Sequence, residues 1–173
     1  MDLASIPLAL EHTGETNLRN LANIGQIERI EPNAEMFSRY FVSAKRLLRD
    51  SSQSNVSIET RCIAAYTAAH QLCLAALYMR GFAPGRKLGH RAIVFQTLAP
   101  AVGADHTVMQ PLGNYHRKRN RAEYNGWNEF DEADLTDLTR LCACVWSLTR
   151  KWLELYEPRF LEEAEKRANL AKG

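Results

Sequence analysis

The stretch from Ile58 to about Arg80 constrains this chain more than any other. It reads Cys62-Ile63-Ala64-Ala65-Tyr66-Thr67-Ala68-Ala69 and then runs apolar from Leu72 to Met79. It is far longer than a strand, and Gly81 follows where a helix end wants a left-handed residue. A helix that is apolar on nearly all faces belongs in the middle of other helices, and its alanines let neighbouring backbones approach closely. Ser57 stands before it as an N-cap.

The remaining segments are its walls. Ala34 to Asp50 places Phe37, Tyr40, Phe41, Ala44, Leu47 and Leu48 on a single stripe, with Asn33 as N-cap after Pro32. After a cap at Asp131, Leu138, Leu141, Val145, Leu148, Trp152 and Leu155 recur at spacings of three and four, until Pro158 ends the run. Weaker signals predict a helix from about Thr16 to Ile30, with Gly25 weakening it, and another from about His90 to Ala101, burying Ile93, Phe95 and Leu98. A polar helix is expected to end at Asn125-Gly126, and Pro111 and Gly113 mean that it is either kinked early or begins near Pro111 as its first residue. Residues 1 to 13 read as loose and Gly81 to Gly89 as a loop. No segment alternates strictly over strand length. The expected class is therefore all-α, an antiparallel helical bundle of four to five main helices. An N-terminal extension with a short helix covers 1–32, the bundle 33–160, and a charged, fraying tail 161–173.

At 173 residues the chain reads as one domain that needs no metal or disulfide staples. With 22 Lys and Arg against 20 Asp and Glu, the formal charge is +2, so any phosphate contact must come from local clustering. Cys62, Cys73, Cys142 and Cys144 form no Cys-x-x-Cys pair and sit in apolar helical runs, which reads as buried free thiols rather than a zinc site. No metal or cofactor is expected. The first residues show no signal-peptide pattern and no stretch approaches the roughly 20 apolar residues of a membrane span, so a soluble, cytoplasmic protein is expected.

Local charge is concentrated in Asn114-Tyr115-His116-Arg117-Lys118-Arg119-Asn120-Arg121-Ala122-Glu123-Tyr124. At 100° per residue, His116, Arg119, Asn120, Glu123 and Trp127 share one face, and Arg117, Arg121 and Tyr124 an adjoining one. Forked donors and cations grouped in this way suit phosphate, with Arg117, Lys118 and Arg121 as nucleic-acid contacts. Tyr115, Tyr124 and Trp127 could stack on unpaired bases. Arg86, Lys87 and His90 could extend the same surface. The plain alternative is a solvated helix with an Arg119–Glu123 ion pair. His70 reads as a satisfied core residue, His106 as part of a helix start beside Asp105, and His12 as lying in a loose end. No nucleophile elbow or phosphate loop is expected where there are no strands.

Ala64 to His70, then Leu77-Tyr78-Met79-Arg80-Gly81-Phe82-Ala83-Pro84, Gly89-His90-Arg91-Ala92 and Arg117 to Tyr124 together resemble the HEPN domain (higher eukaryotes and prokaryotes nucleotide-binding). The resemblance covers about Asn33 to Tyr156. It implies a dimerising α-helical bundle, often a metal-independent endoribonuclease of toxin–antitoxin, defence or RNA-processing systems. The family motif is an Arg, a polar residue such as Asn, a short spacer and a His. Arg119-Asn120 matches its beginning, but Tyr124 stands at the His position, and His116, one turn before Arg119, is a substitute only where dimerisation brings it to a shared cleft. By that resemblance the catalytic set is Arg119, Asn120, Tyr124 and His116, and the partners are RNA or a nucleotide and a second copy of the chain. A rival expectation is a non-catalytic interaction subunit serving an antitoxin or a nucleotidyltransferase, with Tyr124 able to receive a nucleotide. A third is a structural bundle closed into a homodimer by Arg–Glu pairing.

Overall fold

A computed structural model describes residues 8–85, 90–125 and 129–170, which are helical apart from one pair of short strands. The central helix is α3, Ile58–Met79; here α1 is Leu8–Asn23, α2 Ala34–Ser51, α4 His90–Gln96, α5 Leu98–Val102, α6 His106–Asn125, α7 Glu132–Tyr156 and α8 Pro158–Leu170. As the absence of a polar face demands, α3 touches α2, α4, α5, α6 and α7, and Ala65, Ala68, Ala69, Leu72, Cys73 and Ala76 have no exposed surface. Eight helices occur among the described residues, more than the four or five main ones expected.

Three caps fall where side-chain chemistry puts them. The Asn33 side chain accepts from the Met36 N–H at 2.8 Å, and Ser57 Oγ accepts from the Thr60 N–H. Asp131 and Asp134 form a capping box at the start of α7, each side chain accepting from the other's backbone N–H at 2.9 Å. Gly81 takes φ 76° after α3, as a left-handed terminator should.

Elsewhere the expectations need correcting. α1 begins at Leu8, within the stretch read as loose, and stops at Asn23 rather than continuing to Ile30. Gly25 ends it at φ 73°: its N–H donates to Ala22 O and the Gln26 N–H to Leu21 O, a Schellman closure. The chain then extends as β1, Ile27–Arg29, which pairs antiparallel with β2, Phe82–Pro84, inside the expected loop. Pro84 is tolerated because a two-stranded ribbon is all edge. The helix expected over His90 to Ala101 breaks at Thr97, since Pro100 has no N–H to give Gln96. Of the two starts left open for α6, the later one near Pro111 is wrong: the helix begins at His106 with Pro111 inside it, because Asp105 accepts from the Thr107 N–H more than a turn earlier. Pro158 does not end the packed region but opens α8 as its first residue. The expected tail at 161–173 is, as far as Leu170, helix packed on α2, with Phe160 and Ala164 buried.

Cys62, Cys73 and Cys142 are buried free thiols and Cys144 is half-buried. Burial pushes Cys62 up to about 11 and Cys142 up to about 12, so neither is a thiolate near neutral pH. Contrary to the expectation, α3 is long and apolar enough to span a membrane, with a mean hydropathy of 1.3. In the fold, however, 67% of that window is buried, as in a core helix.

One buried cation ties four elements together. Arg80, at the C-cap of α3, donates to Ala101 O at 3.2 Å and to Glu15 Oε2 at 3.3 Å, with its guanidinium 4.6 Å from the Trp152 ring. Burial alone would push the Glu15 carboxyl up, but hydrogen bonds from Arg19 and Arg80 outweigh it and hold the group below its ordinary 4.5. A depressed carboxylate stabilises the fold fully above its unfolded value, and that contribution is lost as pH falls through the lower folded value. Glu15→Gln should therefore cost about 1–3 kcal/mol at pH 7, since it strips a carboxylate from a buried arginine. In urea melts the gap from wild type should close once pH falls well below 4.5.

Candidate RNA-contacting site

α6 presents different chemistry to its two sides. Toward α7, Lys118 Nζ donates to Asp134 Oδ2 at 2.6 Å and lies 5.3 Å from the Phe130 ring centroid. Tyr115 donates its hydroxyl to Asp137 Oδ2 at 3.1 Å. Desolvation, followed by the Asp137 carboxylate, pushes that phenol well above its ordinary value. Since Asp134 also belongs to the capping box, Lys118 clamps α6 to the first turn of α7. Lys118 and Tyr115 are thus engaged inside the protein, whereas Arg117, Arg121 and Tyr124 are exposed. Arg117 donates to the Asn114 side chain and Arg121 pairs with Glu129 at 3.4 Å. Tyr124 is 85% exposed.

Toward α3 and α4, α6 sets half-buried His116, Arg119 and Asn120 in a continuous line of hydrogen bonds. A guanidinium has only donors, so the Asn120 atom that Arg119 Nη1 reaches at 3.4 Å acts as an acceptor, the carbonyl Oδ1. The other end of that amide, Nδ2, then donates to His116 Nε2 at 3.2 Å. In the neutral ring Nε2 is therefore the bare nitrogen and Nδ1 carries the proton, which it donates to the Tyr66 hydroxyl at 2.8 Å. Rings wall the imidazole: Tyr66 lies nearly parallel at 6.3 Å and Phe95 tilted at 6.1 Å. In that tautomer the basic nitrogen is turned toward the Asn120 amide, whose other end Arg119 reaches. Such a constellation can accept a proton beside a cation that accepts phosphate charge.

The structure thus joins Arg119, Asn120 and His116 and leaves Tyr124 apart from them on the surface. Arg86 and Lys87 lie outside the described residues, as do Trp127 and the side chains of His90, Glu123 and His12, so the expected loop extension and the Arg119–Glu123 pair fall there too. His70 packs its edge on Phe95 at 5.6 Å, and exposed His106 opens α6 beside Asp105. Tyr66 is the residue that sequence reasoning missed, counted only as part of an apolar run. Its signal was a phenol in an alanine-rich buried helix, where the hydroxyl must find a partner. Among the described residues, a cleft of about 530 Å³ lies between α2, α3 and α8 and a smaller one between α2, α7 and α8, and no α6 residue lines either of these. No family model, curated protein or solved structure matches the chain.

Proposed function

We propose that this protein is a HEPN-like RNA-binding protein that cleaves RNA without metal, using the α6 face of Arg119, Asn120 and His116. The observation that carries the proposal is the hydrogen-bonded line Arg119–Asn120–His116–Tyr66, in which the Asn120 amide links the His116 ring to the Arg119 guanidinium. In cleavage the RNA 2′-oxygen attacks the neighbouring phosphorus while His116 Nε2 takes its proton in place of the Asn120 amide. Arg119 neutralises charge on the phosphoryl oxygens, and the bond from phosphorus to the 5′-oxygen breaks. The leaving oxygen takes a proton from water and His116 returns its own to solvent, giving a 2′,3′-cyclic phosphate and a 5′-hydroxyl. Tyr66 positions the ring and touches no substrate. Two copies facing across a cleft would complete the surface, as the resemblance implies.

Incubating the protein with single-stranded RNA in EDTA and analysing the ends tests this reading. Cyclic phosphate ends that disappear with Arg119→Ala are expected. Intact RNA, or cleavage equal in the variant, would contradict it. Tyr66→Phe should lower kcat about fivefold to tenfold, the worth of one hydrogen bond of ~1–1.5 kcal/mol, with the RNA Kd unchanged.

A second reading has one specific observation behind it, the 85% exposure of Tyr124. A phenol presented so openly suits an interaction subunit whose Tyr124 oxygen attacks the α-phosphorus of a nucleoside triphosphate on a nucleotidyltransferase partner, releasing pyrophosphate. Intact-mass spectrometry of the protein from its native cells would show a nucleotidyl adduct on Tyr124 if that reading holds, and unmodified chain if it does not.

A further inference from the structure

A second cationic site lies apart from α6. The cleft of about 530 Å³ between α2, α3 and α8 is lined by Arg39, Ser43 and Arg46 of α2, Gln71 of α3 and Arg167 of α8, with Tyr40 on its wall. Positions 39, 43 and 46 fall at i, i+4 and i+7, so α2 sets a hydroxyl between two guanidiniums on one face. Neither Arg39 nor Arg46 has a carboxylate within salt-bridge distance among the described residues. Arg167 is held loosely, at 4.0 Å from Glu35 and 3.7 Å from Glu163, and its Nε is buried with no hydrogen-bond partner. A surface helix gains nothing from like charges gathered around a cavity, so the cluster suits an anionic ligand.

We propose that this cleft binds a small phosphorylated organic ligand. Forked guanidiniums take phosphate oxygens, and the Ser43 hydroxyl donates to the same group. The Met36, Tyr40 and Val42 side of the lining packs on the organic part, which separates the ligand from a bare inorganic anion. The volume fits a sugar phosphate or a nucleotide, within the ~300–1,000 Å³ usual for ligand clefts. This site is independent of the α6 reading.

Isothermal titration with ribose 5-phosphate, ATP and inorganic pyrophosphate, at fixed ionic strength, tests the proposal. Saturable binding of ribose 5-phosphate or ATP is expected, each tighter than pyrophosphate; which of the two binds more tightly distinguishes a sugar phosphate from a nucleotide. The exposed pair Arg39→Ala/Arg46→Ala, checked for an unchanged thermal melt, should weaken it about tenfold or more. His116→Ala should bind as wild type. The proposal is overturned by no saturation with either organic phosphate at millimolar concentration, by full binding in the double arginine variant, or by pyrophosphate binding as tightly as both.

Discussion

His116→Ala should lower the rate of RNA cleavage in EDTA by about 10²- to 10⁴-fold, the range that a positioned acid–base group contributes. Its ring is held by three separate elements: Tyr66 on α3, Phe95 on α4 and Asn120 on its own helix. Two hydrogen bonds specify which nitrogen is bare, so the loss reflects a missing base rather than a disordered one. Tyr124→Phe is the matched control. Tyr124 stands at the motif position of the expected His yet is 85% exposed, and its removal should change the rate less than about twofold. A large loss in Tyr124→Phe with little change in His116→Ala would reverse the two roles and sink the cleavage mechanism. Melting curves of both variants separate lost chemistry from lost fold.

The second large effect concerns stability. Phe37→Ala should destabilise the protein by about 3–5 kcal/mol, a large share of the ~5–15 kcal/mol that holds a domain together. Phe37 has no exposed surface and sits at the meeting of α2 and α8, stacked on Phe41 at 4.9 Å and edge-on to Phe160 at 5.7 Å. Phe41 in turn stacks on Trp146 of α7 at 3.9 Å, so one ring cluster joins three helices. Truncation leaves a cavity that rigid rings on all sides cannot collapse into. Urea unfolding should show the midpoint fall with little change in slope. A loss below about 1 kcal/mol would mean that α8 does not pack on α2 as described.

The caps show what was legible in the sequence. Asn33, Ser57 and Asp131 act through partners within three residues, so their chemistry can be read locally, and α2, α3 and α7 start where those residues place them. The β1–β2 ribbon was not legible, because three-residue strands show no period and the partner of Ile27 is Pro84, far along the chain. α8 was misjudged for a similar reason: its charges suggested a solvated tail, while Phe160 and Ala164, which make it part of the core, are two apolar positions a turn apart. At the site, helical periodicity correctly put His116, Arg119 and Asn120 on one face. It could not reveal Tyr66, which meets His116 across 50 residues. Nor could it separate Lys118, consumed by Asp134, from Arg117 and Arg121, since all three look alike as cations in a row.

The account rests on α6 gripping phosphodiesters through Arg119. Fluorescence anisotropy of labelled single-stranded RNA, titrated at 50 and 200 mM salt with wild type and Arg119→Ala, measures that directly. The account predicts an affinity that falls steeply with salt, and in Arg119→Ala a weaker affinity with a shallower salt slope. Binding that ignores both salt and the substitution, or no binding at the lower salt, would contradict it.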